Sequence, residues 1–268
     1  MKITLITLLL LSWSFISHSQ TSQQYIESGN QKADQNDLKG AADDYTRAIQ
    51  LDSANIDAYY NRAWARIELK EYNAAIDDLN KEIKVNTQNV APYYLLGNAK
   101  ERLHDYEGSL NAYSVYIKAN KDSFDGYVRR AIVEKELKLY KKALADDNMA
   151  IKLGATLIHH NRAVVKREMK DYKGAIADFT IMMEEDSEYR EFYRFLRAQC
   201  KALRKDYKGA MQDYNAVLTV APKYEEVYYY RGLTEVTLKQ DENACADFKM
   251  ALQLGYKQAD DEIIKTCH

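Results

Sequence analysis

Only two prolines and ten glycines punctuate the 268 residues. That leaves too few turn signals for a chain of short strands, while the stretches between them are long enough for helices. An excess of one charge is also lacking, since 38 lysines and arginines face 40 aspartates and glutamates, a formal net charge of −2. A phosphate backbone requires a basic stripe, so nucleic acid is not expected as a partner. The three cysteines include no C-x-x-C pair, which argues against zinc. His159 and His160 are adjacent on a predicted helix, point in different directions and cannot chelate one ion together. Acidic pairs such as Asp77-Asp78 and Asp146-Asp147 have no base or nucleophile at matching positions and read as solvated faces. No metal, no cofactor and no catalytic residue are therefore expected, and the chain does not read as an enzyme.

Long apolar runs are scarce as well. The run from Ile3 to Ile16 follows Lys2 and precedes Ser17-His18-Ser19. It is shorter than the roughly 20 residues that span a bilayer as a helix. Small residues stand at the two positions a signal peptidase reads, so residues 1–19 read as a cleaved signal peptide, with an uncleaved anchor as the alternative. The expected location is outside the cytoplasm, periplasmic or secreted, with no membrane span in the mature chain.

What the chain has in abundance is self-similarity. Asn161 to Phe179, NRAVVKREMKDYKGAIADF, recurs as NRAWARIELKEYNAAIDDL at Asn61 to Leu79 and as LRAQCKALRKDYKGAMQDY at Leu196 to Tyr214. A period of about 34 residues points to an array of two-helix repeats. Seven fit, at about 22–55, 56–89, 90–123, 124–155, 156–190, 191–224 and 225–255. An early aromatic (Tyr25, Tyr59, Tyr93, Tyr127, Tyr228) is followed four residues on by a small residue (Gly29, Ala63, Gly97, Ala131, Gly232). A turn aromatic (Tyr72, Tyr106, Tyr140, Tyr172, Tyr207) precedes a small residue at the helix crossing (Ala75, Ser109, Ala143, Ala175, Ala210). Antiparallel helices approach to roughly 8–10 Å only where such small residues meet.

This pattern resembles the tetratricopeptide repeat. The resemblance implies an all-α fold, a right-handed α-solenoid of seven helix-turn-helix repeats closed by a capping helix over residues 256–268. No repeat buries enough surface alone, so each leans on its neighbours.

Several positions depart from the repeat in informative ways. Arginine recurs before the small residue as Arg62, Arg130, Arg162, Arg197 and Arg231, and an acid recurs in the second helix as Asp78, Asp146, Asp178, Asp213 and Asp247. The third repeat lacks both, with Leu96 and Ala112, and the first has Ser28 and Asp44. Either these are ion pairs within each repeat or they are solvated independently. Asp147 takes the place held elsewhere by Tyr45, Tyr113, Phe179, Tyr214 or Phe248, and must be solvated or paired. With Gly154 it suggests loosened packing or a bend near 147–157, or else a tolerated imperfection. Cys245 and Cys267 are placed to staple the cap to the array, and Cys200 reads as a buried free thiol.

The resemblance also implies a function: a non-enzymatic scaffold or adaptor that holds a protein or peptide segment in a concave groove lined by the first helix of each repeat. Carried over by position, the groove residues are Tyr60, Asn61 and Trp64 in the second repeat, and Tyr94, Asn98 and then Arg102 in the third. Further on they are Arg129 in the fourth, His160 and Asn161 in the fifth, Phe195 and Gln199 in the sixth and Tyr230 in the seventh. Rings beside amides suit an extended peptide. The alternatives are a structural or self-associating spacer of an envelope assembly, or a regulatory subunit of an envelope enzyme.

Overall fold

The computed structural model describes residues 21–267, so the segment read as a signal peptide lies outside the described residues. The described residues form fifteen helices and no strand. They pair in sequence order as α1 (Ser22–Asp34) with α2 (Leu38–Leu51) and α3 (Ile56–Glu68) with α4 (Tyr72–Val85), after which come α5 (Ala91–Arg102) and α6 (Tyr106–Ala119). Next come α7 (Phe124–Glu136) with α8 (Tyr140–Lys152), α9 (His159–Glu168) with α10 (Tyr172–Glu185), and α11 (Arg190–Leu203) with α12 (Tyr207–Val220). The last pair is α13 (Glu225–Thr237) with α14 (Asp241–Gln253), followed by the short α15 (Ala259–Thr266). The fold class is thus an α-solenoid with a terminal helix. Two compact bodies divide the chain, one running to Ala99 and the other from Lys100 onward.

Each hairpin turn is made the same way. One residue enters the left-handed region before the second helix begins, and it is Asn36, Lys70, His104, Lys138, Lys170, Lys205 or Lys239, with φ of 58–68°. In four repeats an aspartate then caps the second helix. Asp37, Asp105, Asp171 and Asp206 accept from the backbone N–H of Gly40, Gly108, Gly174 and Gly209 at 2.9–3.0 Å. That bond satisfies one of the open donors at the helix start.

The small residues at the crossings are close-packed, as their spacing predicts. A Cβ added at Gly29 would stand 2.6 Å from the Tyr45 ring, and one at Gly232 would stand 2.7 Å from Phe248. In the first body Ile26, Ala41, Tyr45, Ala48, Ala58 and Ala65 form one cluster. In the second body one cluster runs from Ala163 through Phe179, Tyr193 and Tyr214 to Val227. At the far end Ala259 of α15 is fully buried on Ala244, Phe248 and Ala251, beside Tyr229 and Tyr256. The Cys245–Cys267 disulfide ties this helix to α14.

The fourth repeat contributes to two small clusters. Ala131, Ala143 and Val165 form one small cluster, and Ala150, Ala155 and Ile158 another. Gly154 at φ 93° and Leu157 at φ 60° carry an irregular link into α9, the shortest of the paired helices. Asp147 stands here where sister repeats have a ring. It is fully buried, both of its oxygens lack a hydrogen-bond partner, and burial pushes its carboxyl up to about 7. The reading of Asp146-Asp147 as a solvated face is therefore corrected, since Asp146 is also buried; so is Asp78, in the other such pair.

Filling that position with the ring its sister repeats use should stabilise the protein. Asp147→Phe is expected to gain about 2 kcal/mol at pH 8, the burial energy of a phenyl ring, measured by urea denaturation. A variant no more stable than the parent would show that the acid is accommodated at no cost.

Candidate functional site

Five arginines meet five aspartates in the same geometry. Nε and Nη2 of Arg62 donate to the two oxygens of Asp78 at 2.9 and 2.6 Å. Arg130 holds Asp146 at 2.6 and 2.9 Å, and Arg162 holds Asp178 at 2.9 and 2.6 Å. Arg197 with Asp213 and Arg231 with Asp247 complete the set. The pairing reading of these residues is the right one, and the forks are two-pronged, the geometry in which guanidinium and carboxylate bind best.

The sequence did not disclose the third prong. Each Nη1 reaches back to the second helix of the preceding repeat, to Thr46, Ser114, Asn148, Thr180 or Asn215, at 2.6–3.2 Å. Every arginine therefore joins two repeats as well as two helices. A second cation four residues further on also grips the acid, as Lys32 on Asp44, Arg66 on Asp78, Lys166 on Asp178 and Lys201 on Asp213, at 2.6–2.8 Å. Ser28 donates to Asp44 at 2.6 Å in the first repeat, where no arginine is present.

The groove candidates are spread over both bodies. In the first, Trp64 is exposed at 37% and Tyr60, Asn61, Tyr94 and Asn98 are half-buried. The Asn61 amide donates to Asn30 at 3.3 Å, and the same Asn30 oxygen accepts from the Tyr45 hydroxyl, so this amide braces two repeats. In the second body Arg102 is exposed, and Arg129, Asn161, Gln199 and Tyr230 are half-buried. The His160 ring lies among Phe179, Phe192 and Tyr193 with Nδ1 buried and unbonded. Burial, then the charges of Lys135 and Arg167, lower its pKa, so the ring is held neutral. His159 turns away to Glu185, 3.2 Å from its Nδ1, and no metal-holding cluster exists among the described residues.

Phe195 is a correction. Its register put it on the groove wall, but it is only 2% exposed and stacks on Tyr214, Tyr224 and Tyr230. The rings of α12 and α13 close over it, a tertiary contact that repeat position alone does not specify.

Gln199 and Tyr230 do come together. They line a cavity of about 470 Å³ with Ala202 and Leu203 of α11, Leu233, Thr234 and Thr237 of α13, Tyr207 and Tyr214 of α12, and Arg167 just past Lys166 on α9. The α13 members 230, 233, 234 and 237 share one face by their helical spacing. Of the lining residues, Arg167 alone carries a charge at neutral pH; burial raises the Tyr214 phenol well above its usual value and keeps it protonated. Sequence reading missed Thr234 and Thr237 because it followed only the first turns of each helix. Extending the same face by three and four residues would have reached them.

A family model described as TPR repeat matches residues 29–66, and one described as Tetratricopeptide repeat matches residues 56–89. Residues 29–89 are tetratricopeptide repeats. Solved structures of proteins with such repeats share the chain's fold. A tetratricopeptide repeat protein from Parabacteroides merdae is 18% identical, with a TM-score of 0.64 over 92% of this chain and 99% of its own. The C-terminal part of a TPR repeat-containing protein from Cytophaga hutchinsonii is 18% identical, with a TM-score of 0.75 over 88% and 98%. YrrB, described as a TPR protein with an unusual peptide-binding site, is 20% identical, with a TM-score of 0.56 over 66% and 92%. No curated protein matches the sequence. Tetratricopeptide-repeat proteins are generally non-enzymatic scaffolds that bind protein or peptide partners. Among the described residues of this chain, no helix is long and apolar enough to cross a membrane.

Proposed function

We propose that the protein is an adaptor working outside the cytoplasm, and that the cavity between α11 and α13 takes a side chain of an extended partner segment. The observation that carries the reading is the cavity's make-up. Apolar walls from Leu203, Ala202 and Leu233 stand beside the Gln199 amide, the Thr237 hydroxyl and the Arg167 guanidinium. Such a site covers an aliphatic or aromatic side chain while the amide and hydroxyl bond its backbone. Arg167 adds a place for a neighbouring carboxylate. The likeness to YrrB, whose description names a peptide-binding site, supports a peptide as occupant. Export is supported by the apolar run after Lys2 and by a disulfide, which persists in oxidising compartments.

The test is to fill the cavity. Gln199→Trp places an indole in the space the partner side chain would occupy, at a half-buried position outside the core. Partner proteins should crosslink to a photoreactive residue at position 237 through one short segment, and that crosslink should fall at least tenfold in the tryptophan variant while the circular dichroism melt is unchanged. Equal crosslinking by both forms would sink the reading.

A further inference from the structure

In two repeats the second cation is replaced by an acid. Glu134 stands in the fourth repeat and Glu235 in the seventh, at the register held by Lys32, Arg66, Lys166 and Lys201 elsewhere. Glu134 is 4% exposed and Glu235 is 5% exposed, and the Oε2 of each is buried without a hydrogen-bond partner. Each lies near an aspartate that its own repeat's arginine already grips. Two neighbouring carboxylates with little water about them cannot both stay charged at modest cost. One proton between them removes the repulsion and gives the unbonded oxygen a hydrogen to donate.

We propose that Glu134 and Glu235 each hold a proton beside the aspartate across the hairpin, Asp146 and Asp247, and that the fourth and seventh repeats tighten in mildly acidic surroundings and loosen when that proton is withdrawn. Loosening breaks one O–H bond and passes the proton to water or buffer base; no electrons move. A cavity of about 390 Å³ lined by Glu134, Asp146, Arg130, Ser114 and Lys142 opens the first pair to solvent, so the proton has a path.

The charged surroundings agree. Around Glu134, α8 presents Asp146, Asp147 and Lys142, its own helix presents Arg130, and α6 presents the uncharged Ser114 and Asn111. Around Glu235, α14 presents Asp247, its own helix presents Arg231, α12 presents the Asn215 amide through that arginine, and α11 meets α13 through the uncharged Phe195 and Tyr230. Burial first, and the facing aspartate second, push both glutamates from 4.5 up to about 7. An acid whose pKa is raised on folding contributes stability that is whole below its unfolded value and is lost as pH rises through its folded one. The window is therefore pH 4.5 to 7.

Glutamate-selective 13C labelling of the full chain tests the proposal by NMR. Carboxyl resonances with midpoints near pH 7 should include one that vanishes in Glu134→Gln and one that vanishes in Glu235→Gln. Glu82, which burial also raises to about 7, supplies a third that survives both. Amide protection in α8 and α14 should fall about tenfold per pair between pH 6 and 8.5, the factor carried by one pKa unit, and the part due to these pairs should be absent in E134Q/E235Q. Asp147 keeps its own titration in that variant, so α14 gives the cleaner reading. E134K/E235K, which restores the side chain of the sister repeats, should be equally indifferent to pH and serves if the glutamine form does not fold. Resonances near neutrality untouched by either single substitution, or a fall in α14 protection that persists in both double variants, would overturn the proposal.

Discussion

Asp178→Ala lowers the stability of the protein by about 3–5 kcal/mol, the cost of removing one partner from a buried ion pair. Asp178 is 1% exposed and is held by both Arg162 and Lys166. Without it the Arg162 fork keeps only its bond to Asn148, and a guanidinium already largely out of water loses its counter-charge. Lys166 is long enough to swing outward, so most of the loss comes from the arginine. A companion variant separates the pair from mere packing. R162L/D178L removes both charges and should recover more than half of the loss, because no buried charge is left orphaned. Urea titration of the three proteins measures this. A loss under about 1 kcal/mol in Asp178→Ala would place the pair among ordinary solvated bridges.

The second large effect concerns the end of the array. C245S/C267S should cost about 3 kcal/mol, the loop-closure entropy of a 22-residue link in the unfolded chain. The loss should also be local. At eight residues α15 is shorter than the roughly 12–15 residues below which an isolated helix is marginal. It persists by burying Ala259 and Ile263 against α14 and by its covalent tie. Hydrogen exchange should speed up in α15 and the end of α14, and remain unchanged in the first body, as expected for a nearest-neighbour array. Cys200, buried and pushed up to about 11, takes no part. An unaltered exchange pattern would mean that packing alone holds the cap.

Much of this was readable from residue types, because repetition supplies seven trials of one pattern. The second helices begin at Tyr72, Tyr106, Tyr140, Tyr172 and Tyr207, the aromatics already marked as turn residues. The Arg–Asp pairs were legible because the third repeat lost both members together. What escaped was whatever depends on the neighbouring repeat. The third arginine prong ends on threonine, serine or asparagine, three types with no common signature except hydrogen-bonding ability. Phe195 was misplaced partly for the same reason, since Tyr230 of the next repeat joins Tyr214 and Tyr224 over it. Glu134 and Glu235 were passed over because an acid on a helix reads as solvent-facing, and only the surrounding packing shows each enclosed.

The arginine prong that crosses to the preceding repeat says something about how such a chain can change length. Its requirement is local and generic: a hydroxyl or amide two residues past the acid position of whichever repeat comes before. Asn148 and Thr180 both meet it, so if the fifth repeat were cut out whole, Arg197 would find Asn148 where Thr180 had been. The connector is shared by the parts and specific to none of them. A gene encoding this chain can gain or lose one of these repeats by unequal crossing-over and leave every remaining rung with a partner.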